Sequence, residues 1–231
     1  MAPAAVAAPA CEARSGPQPP AVVELYTSEG CSSCPPADRW LSALPARPGV
    51  LALSFHVNYW NHLGWRDPFA TPETTARQHR LRQALGASYV YTPQVVLNGR
   101  DLRAWRQLGP TGLVGLPAEA APALQLKRSG AVVTASIAAV PGREAGAELA
   151  GYWAVLQDNV VSRVTRGENA GEVLRHDHVV TAYQPVSAWR AAQGSQARLE
   201  VLAAPNQRVA FVVTDASLTR PVQALALQCP A

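Results

Sequence analysis

Val22-Val23-Glu24-Leu25-Tyr26-Thr27-Ser28-Glu29-Gly30-Cys31-Ser32-Ser33-Cys34 is the stretch that decides how this chain folds. Residues 22–27 are β-branched, aromatic and apolar, which suits a strand. Residues 37–44 carry Trp40, Leu41 and Leu44 at helical spacing, so a helix follows the cysteines. Pro35 and Pro36 are tolerated in a first helical turn and move its start towards Cys34 or Pro35. A Cys-x-x-Cys at a strand-to-helix turn is a place for thiol–disulfide chemistry. Helix N-terminal amides and the macrodipole favour thiolate there, and thiolate is the species that attacks a disulfide or binds a soft metal.

Working outward, residues 50–57 form a near-continuous apolar run that fits a strand buried on both faces. The aromatic loop 58–69 follows. A helix is then expected over 71–86, with Thr71 as cap, Pro72 at its first position and Gly86 at its end. Asn98-Gly99 is the pair a type I′ hairpin prefers, so 94–97 should pair with the residues after Arg100. A further helix is expected near 111–124. Beyond residue 125 the pattern changes to about seven short β-branched runs broken by Gly, Pro, Asn and Asp, which suggests an antiparallel sandwich.

Composition narrows the function classes. Of the 231 residues, 48% are hydrophobic, enough for a large core. The net charge is +4, but the arginines are scattered singly, which argues against a nucleic-acid-binding stripe. No run approaches the ~18 apolar residues of a membrane span. The four cysteines allow two bridges: Cys31–Cys34 locally, and Cys11 with Cys229 at the ends, unless the latter are two free thiols. A staple between chain ends belongs to an oxidising compartment, so a periplasmic or secreted location is expected. Met1–Ala10 reads as the remnant of a leader, and residues 12–20 as a linker.

Five segments carry a resemblance. They are residues 23–38, 55–60, 63–70, 91–94 (Tyr91-Thr92-Pro93-Gln94) and 166–171 (Arg166-Gly167-Glu168-Asn169-Ala170-Gly171). Together they resemble a family of secreted bacterial thioredoxin-like proteins of unknown function, within the thioredoxin/glutaredoxin superfamily. The resemblance implies an α/β thioredoxin-like domain over 21–124 followed by an antiparallel β-sandwich-like domain over 125–231, with 1–20 as leader remnant and linker. It also implies a cis Thr92–Pro93 bond opposite the cysteines, and a buried acid, Glu24, relaying a proton to or from Cys34; read from the strand alone, Glu24 is equally a carboxylate paired with an Arg or pointing to solvent. The long aromatic loop and the paired prolines depart from ordinary thioredoxins.

The expected activity is thiol–disulfide exchange on protein thiols or disulfides, with no cofactor. Cys31, first and nearer the exposed turn, attacks; Cys34, more buried, resolves. Pro93 and Thr92 offer an edge to an extended peptide, and Tyr59, Trp60 and Trp65 either wall its groove or simply pack the loop. His56 ends the second strand at the active-site edge and would stabilise the Cys31 thiolate. As an alternative, Cys31, Cys34 and His56 would bind copper(I) in a metallochaperone or sensor. A third possibility is a non-catalytic interaction protein with a permanent disulfide. Asp38, one helical turn beyond Cys34, would accept a hydrogen bond or sit as a first-turn acid. His176 and His178 alternate on one strand and would reach one ion, or lie on a solvated face. The 166–171 turn is read as a contact between the two halves.

Overall fold

The computed structural model describes residues 11–44, 49–108, 112–113, 115, 117–118, 121–140, 146–202 and 207–229. The expected leader remnant at 1–10 lies outside them. The chain is mostly β, with two α-helices among the described residues.

The first half supplies β2 (Ala21–Thr27), α1 (Pro35–Ser42), β3 (Val50–His56), α2 (Pro72–Ala84), β4 (Gln94–Leu97) and β5 (Arg100–Asp101). Each has a local cause. Both strands β2 and β3 are buried along nearly their whole length, as their apolar runs require. Thr71 caps α2 by accepting from Thr74 N–H, and the Thr74 hydroxyl accepts from Thr71 N–H, a reciprocal capping box. Asn98 (φ 52°) and Gly99 (φ 78°) take the left-handed conformations of a type I′ turn, and β4 and β5 pair across them. The described residues between 112 and 123 form no α-helix, so the helix expected near 111–124 does not appear there.

The second half adds β6 (Leu124–Ser129), β7 (Val132–Ile137), β8 (Glu148–Gln157), β9 (Val160–Arg163), β10 (Val173–His176), β11 (Val179–Arg190), β12 (Ser195–Glu200), β13 (Gln207–Asp215) and β14 (Pro221–Leu227). Residues 11–14, at the edge of the stretch read as leader and linker, form strand β1 (Cys11–Arg14) along β6.

These strands overturn the expected fold class of an α/β thioredoxin-like domain followed by a separate sandwich. Strands from both halves join in one eight-stranded mixed sheet, in the order β14-β13-β8-β11-β3-β2-β4-β5. The join is local: Val179 of β11 pairs in parallel with Ser54 of β3, and Ser54 N–H donates to the His178 carbonyl. β3 therefore has no free edge at that point. The single strand expected to carry both His176 and His178 is broken at His178 (φ 59°), which lets β10 pair with β9 and frees β11 for the large sheet.

A four-stranded sheet, β1-β6-β7-β12, covers part of the large one. The core between them holds Leu126, Val133, Ala135, Trp153, Phe211 and Val213, with the Trp153 and Phe211 rings edge to face at 4.7 Å. The Cys11–Cys229 disulfide, across a sequence separation of 218, ties β1 to the segment just beyond β14. Along β8 the side chains alternate between two cores: Leu149, Trp153 and Val155 face the small sheet, while Tyr152, Ala154 and Leu156 share a core with α2 residue Leu81.

Candidate functional site

Strand parity sorts the site. Val23 and Leu25 of β2 and Ala52 of β3 pack under α1, with Ala37, Leu41 and Leu44. Thr27 and His56 continue that face at the C-terminal ends of β2 and β3, where the two residues are paired. The cysteine loop crosses the same ends. Its turn is closed by Cys31 N–H to the Ser28 carbonyl (3.1 Å) and Cys34 N–H to the Cys31 carbonyl (3.1 Å). Gly30 lets the turn pack closely here: a Cβ would lie 3.0 Å from Trp60 Cβ. Cys31 and Cys34 form a disulfide, and both residues are fully buried. The expected exposed position of Cys31 is thus not observed. Trp60 of the aromatic loop lies against the cysteine turn.

Helix α1 contributes fewer free amides to the cysteines than its position promises. Pro35 and Pro36 have no N–H, and the Ala37 and Asp38 amides both donate to the Cys34 carbonyl. The Ser32 amide (2.9 Å) and hydroxyl (2.8 Å) both donate to the Glu168 carboxylate. Hydroxyl groups serve the sulfur instead. Thr92 Oγ1 donates to Cys31 Sγ at 3.3 Å, and the Ser33 hydroxyl lies 3.4 Å from the same sulfur. Trp60 Nε1 donates to Thr92 Oγ1 at 2.8 Å. The indole occupies a lone pair of the hydroxyl and leaves its proton for sulfur. The Thr92–Pro93 bond is cis.

Beside this contact lies a cleft of about 190 Å³ lined by Tyr91, Thr92, Pro93, Arg103, Trp105 and Arg106. A larger cavity, about 360 Å³, opens at the other end of the strands, around Arg14, Val50, Arg208 and Gln223. The smaller one borders Cys31's hydrogen-bond partner and carries more weight for chemistry.

The 166–171 turn sits on the cysteine loop. Asn169 Nδ2 donates to the Glu29 carbonyl (2.8 Å) and the Cys31 carbonyl (3.1 Å), the residues on either side of Gly30. Sequence reading missed this role for Asn169 and Glu168; the Gly-flanked acid–amide pair was the available signal.

Beneath the loop is a buried polar cluster. Asp67 Oδ2 accepts from Glu29 N–H (2.9 Å) and from His56 Nδ1–H (2.7 Å). Glu29 accepts from Trp65 Nε1 (2.8 Å), and His176 Nε2 lies 3.2 Å from its other oxygen. The two imidazole rings are 4.9 Å apart and nearly perpendicular. Asp38 faces both histidines from α1. Burial disfavours the His56 imidazolium, but the carboxylates of Asp67, Asp38 and Glu29 outweigh it and raise its pKa. Asp67 is likewise pushed up by burial, and its contacts with His56 and two backbone amides bring it below the usual carboxylate value. For Asp38 burial wins over the two histidines, and its pKa is raised. His56 Nε2, His176 Nδ1 and Asp38 Oδ1 are buried without hydrogen-bond partners.

The other predicted residues separate. Glu24 projects to the opposite face of β2. There Arg77 of α2 donates to it, as do the Tyr26 (2.8 Å) and Tyr152 (2.9 Å) hydroxyls. The guanidinium lies 4.1 Å from the Tyr152 ring centroid. Glu24 is therefore not beneath the cysteines. Tyr59 packs against the α2-side core, where burial raises its phenol pKa, and Trp65 spends its N–H on Glu29. His178 is turned away from His176 and accepts from Arg208. Among the described residues no three His, Cys, Asp or Glu side chains converge as metal ligands.

Fold and site together define a mostly β protein with a cysteine pair at the crossover of a mixed sheet, seated on a buried acid–histidine cluster. The chain belongs to a family described as a protein of unknown function, DUF1223, whose model matches residues 22–214. A crystal structure of a protein from Agrobacterium tumefaciens is similar, at 28% identity and TM-score 0.66, over 91% of this chain and 97% of that one. HBP35 of Porphyromonas gingivalis is similar in fold, at 16% identity and TM-score 0.60, over 91% of this chain and 75% of that one. No curated protein matches the chain.

Proposed function

We propose that this protein is an extracytoplasmic thiol–disulfide oxidoreductase acting on protein thiols or disulfides through Cys31 and Cys34. The observation that carries the reading is the hydrogen bond from Thr92 to Cys31 Sγ, with Trp60 filling the hydroxyl's acceptor site. A donor held against one sulfur of the pair stabilises that sulfur when it carries negative charge, as attacking or leaving thiolate. It also supports the reading in which Cys31 is the sulfur that exchanges and Cys34 the one that resolves. The likeness to thioredoxin and glutaredoxin proteins lies in this motif, a Cys-x-x-Cys at a strand end facing Thr92-Pro93, and not in the architecture. The two disulfides support a location outside the cytoplasm.

The test is insulin reduction and oxidation of a reduced protein thiol. Wild-type protein should turn over, Cys31→Ser should be inactive, and Cys34→Ser should accumulate mixed disulfides. Full activity in Cys31→Ser rejects the reading.

Burial of both cysteines favours a second reading, a permanent disulfide that holds the loop. The two readings part on reduction potential. A structural bond lies below about −300 mV, and exchanging pairs lie above it, from about −270 to about −120 mV.

A further inference from the structure

We propose that Asp38 is the proton acceptor for Cys34, and that His56 and His176 act as positioning residues that set when Asp38 can accept. The inference rests on the exchange reading above. Cys34 and Asp38 are four residues apart on one helix. Cys34 is already in helical conformation (φ −79°, ψ −38°), and Asp38 N–H donates to its carbonyl at 3.2 Å. Residues at that spacing share a helix face. Both are buried between α1 and the sheet.

A buried carboxylate is ordinarily consumed by partners. The Asp67 carboxylate has three such contacts, and Glu24 has three side-chain donors. Asp38 differs, because its Oδ1 is buried with no partner. The groups facing it come from every neighbouring element: Thr27 from β2, His56 from β3, Asp67 from the loop beyond, and His176 from β10. Glu29 stands behind His176 and Asp67 behind His56, each bonded to one ring nitrogen. The remaining nitrogens, His56 Nε2 and His176 Nδ1, are also unpartnered and buried. Three orphaned acid–base atoms in one desolvated cluster under a disulfide leave room for a proton that the oxidised state does not hold.

The step balances as follows. A substrate disulfide has been attacked by the Cys31 thiolate, giving a Cys31–S–S–R mixed disulfide and one free thiol. The Cys34 thiol passes its proton to the Asp38 carboxylate. The Cys34 thiolate then attacks Cys31 Sγ, the Cys31–SR bond breaks, and RS⁻ leaves to be protonated by water. Two electrons pass from the protein dithiol to the substrate. Burial raises the Asp38 pKa, which makes its carboxylate a better proton acceptor, while the two histidines hold the rise in check.

Reduced full-length protein is mixed with 4,4′-dithiodipyridine and quenched in acid at intervals. Peptide mass mapping follows the Cys31–thiopyridine adduct and its closure to Cys31–Cys34. In Asp38→Asn closure should slow on the order of 10²-fold near neutral pH. Adduct formation at Cys31 should be unchanged, and Asp38→Glu should restore most of the rate. His176→Asn, which keeps the carboxyl but removes an imidazole whose electrostatic effect lowers the Asp38 pKa, should move the closure midpoint to higher pH. It also serves if Asp38→Asn does not fold. Closure at the wild-type rate and pH profile in Asp38→Asn, or an unmoved midpoint in His176→Asn, overturns the inference. A protein that closes through Asp38 but leaves insulin untouched keeps the inference and loses the exchange reading. Insulin turnover with unaltered closure in Asp38→Asn does the reverse.

Discussion

Thr92 Oγ1 donates to Cys31 Sγ across 3.3 Å, joining residues 61 positions apart at a sulfur that the helix N-terminus serves poorly. With two prolines at the start of α1 and the Ser32 amide taken by Glu168, hydroxyl donors replace amides at this cysteine.

Thr92→Val should therefore make Cys31 less nucleophilic. A hydrogen bond to a charged group is worth about 1.5–3 kcal/mol, so loss of most of one lowers reactivity about 10-fold. Trp60→Phe should act in the same direction but less, since it only frees the hydroxyl to turn. Alkylation rates of the reduced protein at neutral pH check both. A Thr92→Val protein as reactive as wild type would remove the thiolate role of this contact.

Glu24 and Arg77 form an ion pair with both side chains at most 3% exposed. Removing one partner leaves an uncompensated buried charge, so Glu24→Gln or Arg77→Met should cost about 3–5 kcal/mol in urea unfolding. The double variant should cost less than the sum of the two. Because Glu24 lies on the face away from α1, the closure rate at Cys34 should not change in a folded Glu24→Gln protein. A slowed closure there would return the proton role to Glu24.

Asn169→Ala leaves the Glu29 and Cys31 carbonyls without their shared donor. Two lost hydrogen bonds in a buried setting should cost about 1–3 kcal/mol of stability. The cysteine loop should also open more often, so dithiothreitol should reduce Cys31–Cys34 faster than in wild type. Unchanged reduction kinetics would mean that Asn169 does not restrain the loop.

The His56–Asp67 pair sets a pH window. Asp67 has a depressed pKa, so its contribution is present above the ordinary value of 3.8 and is lost as pH falls through its folded value. His56 has a raised pKa, so its contribution is full below 6.5 and is lost as pH rises through its folded value. The difference in Tm between wild type and Asp67→Asn should be largest between these limits and shrink on both sides. Thermal melts from pH 3 to pH 9 test this, and a flat difference contradicts it.

The sequence by itself determined the local events. The cysteine pair at a strand end, the Thr71 cap, the Asn98-Gly99 turn and most second-half strands follow from side-chain pattern and backbone preference within a few residues. Tertiary structure decided the rest. A period of two tells which residues of β2 share a face, but not that α2 would bring Arg77 to the Glu24 side. Nor does it tell that α1 would bring Asp38 to the other side. Apolar runs report burial, but not that β11 would pair with β3 across 125 positions and merge two expected units into one sheet. The same crossover carries β10 and the 166–171 turn onto the cysteine loop, delivering His176, Glu168 and Asn169. Such contacts depend on long-range pairing, which no local spacing encodes.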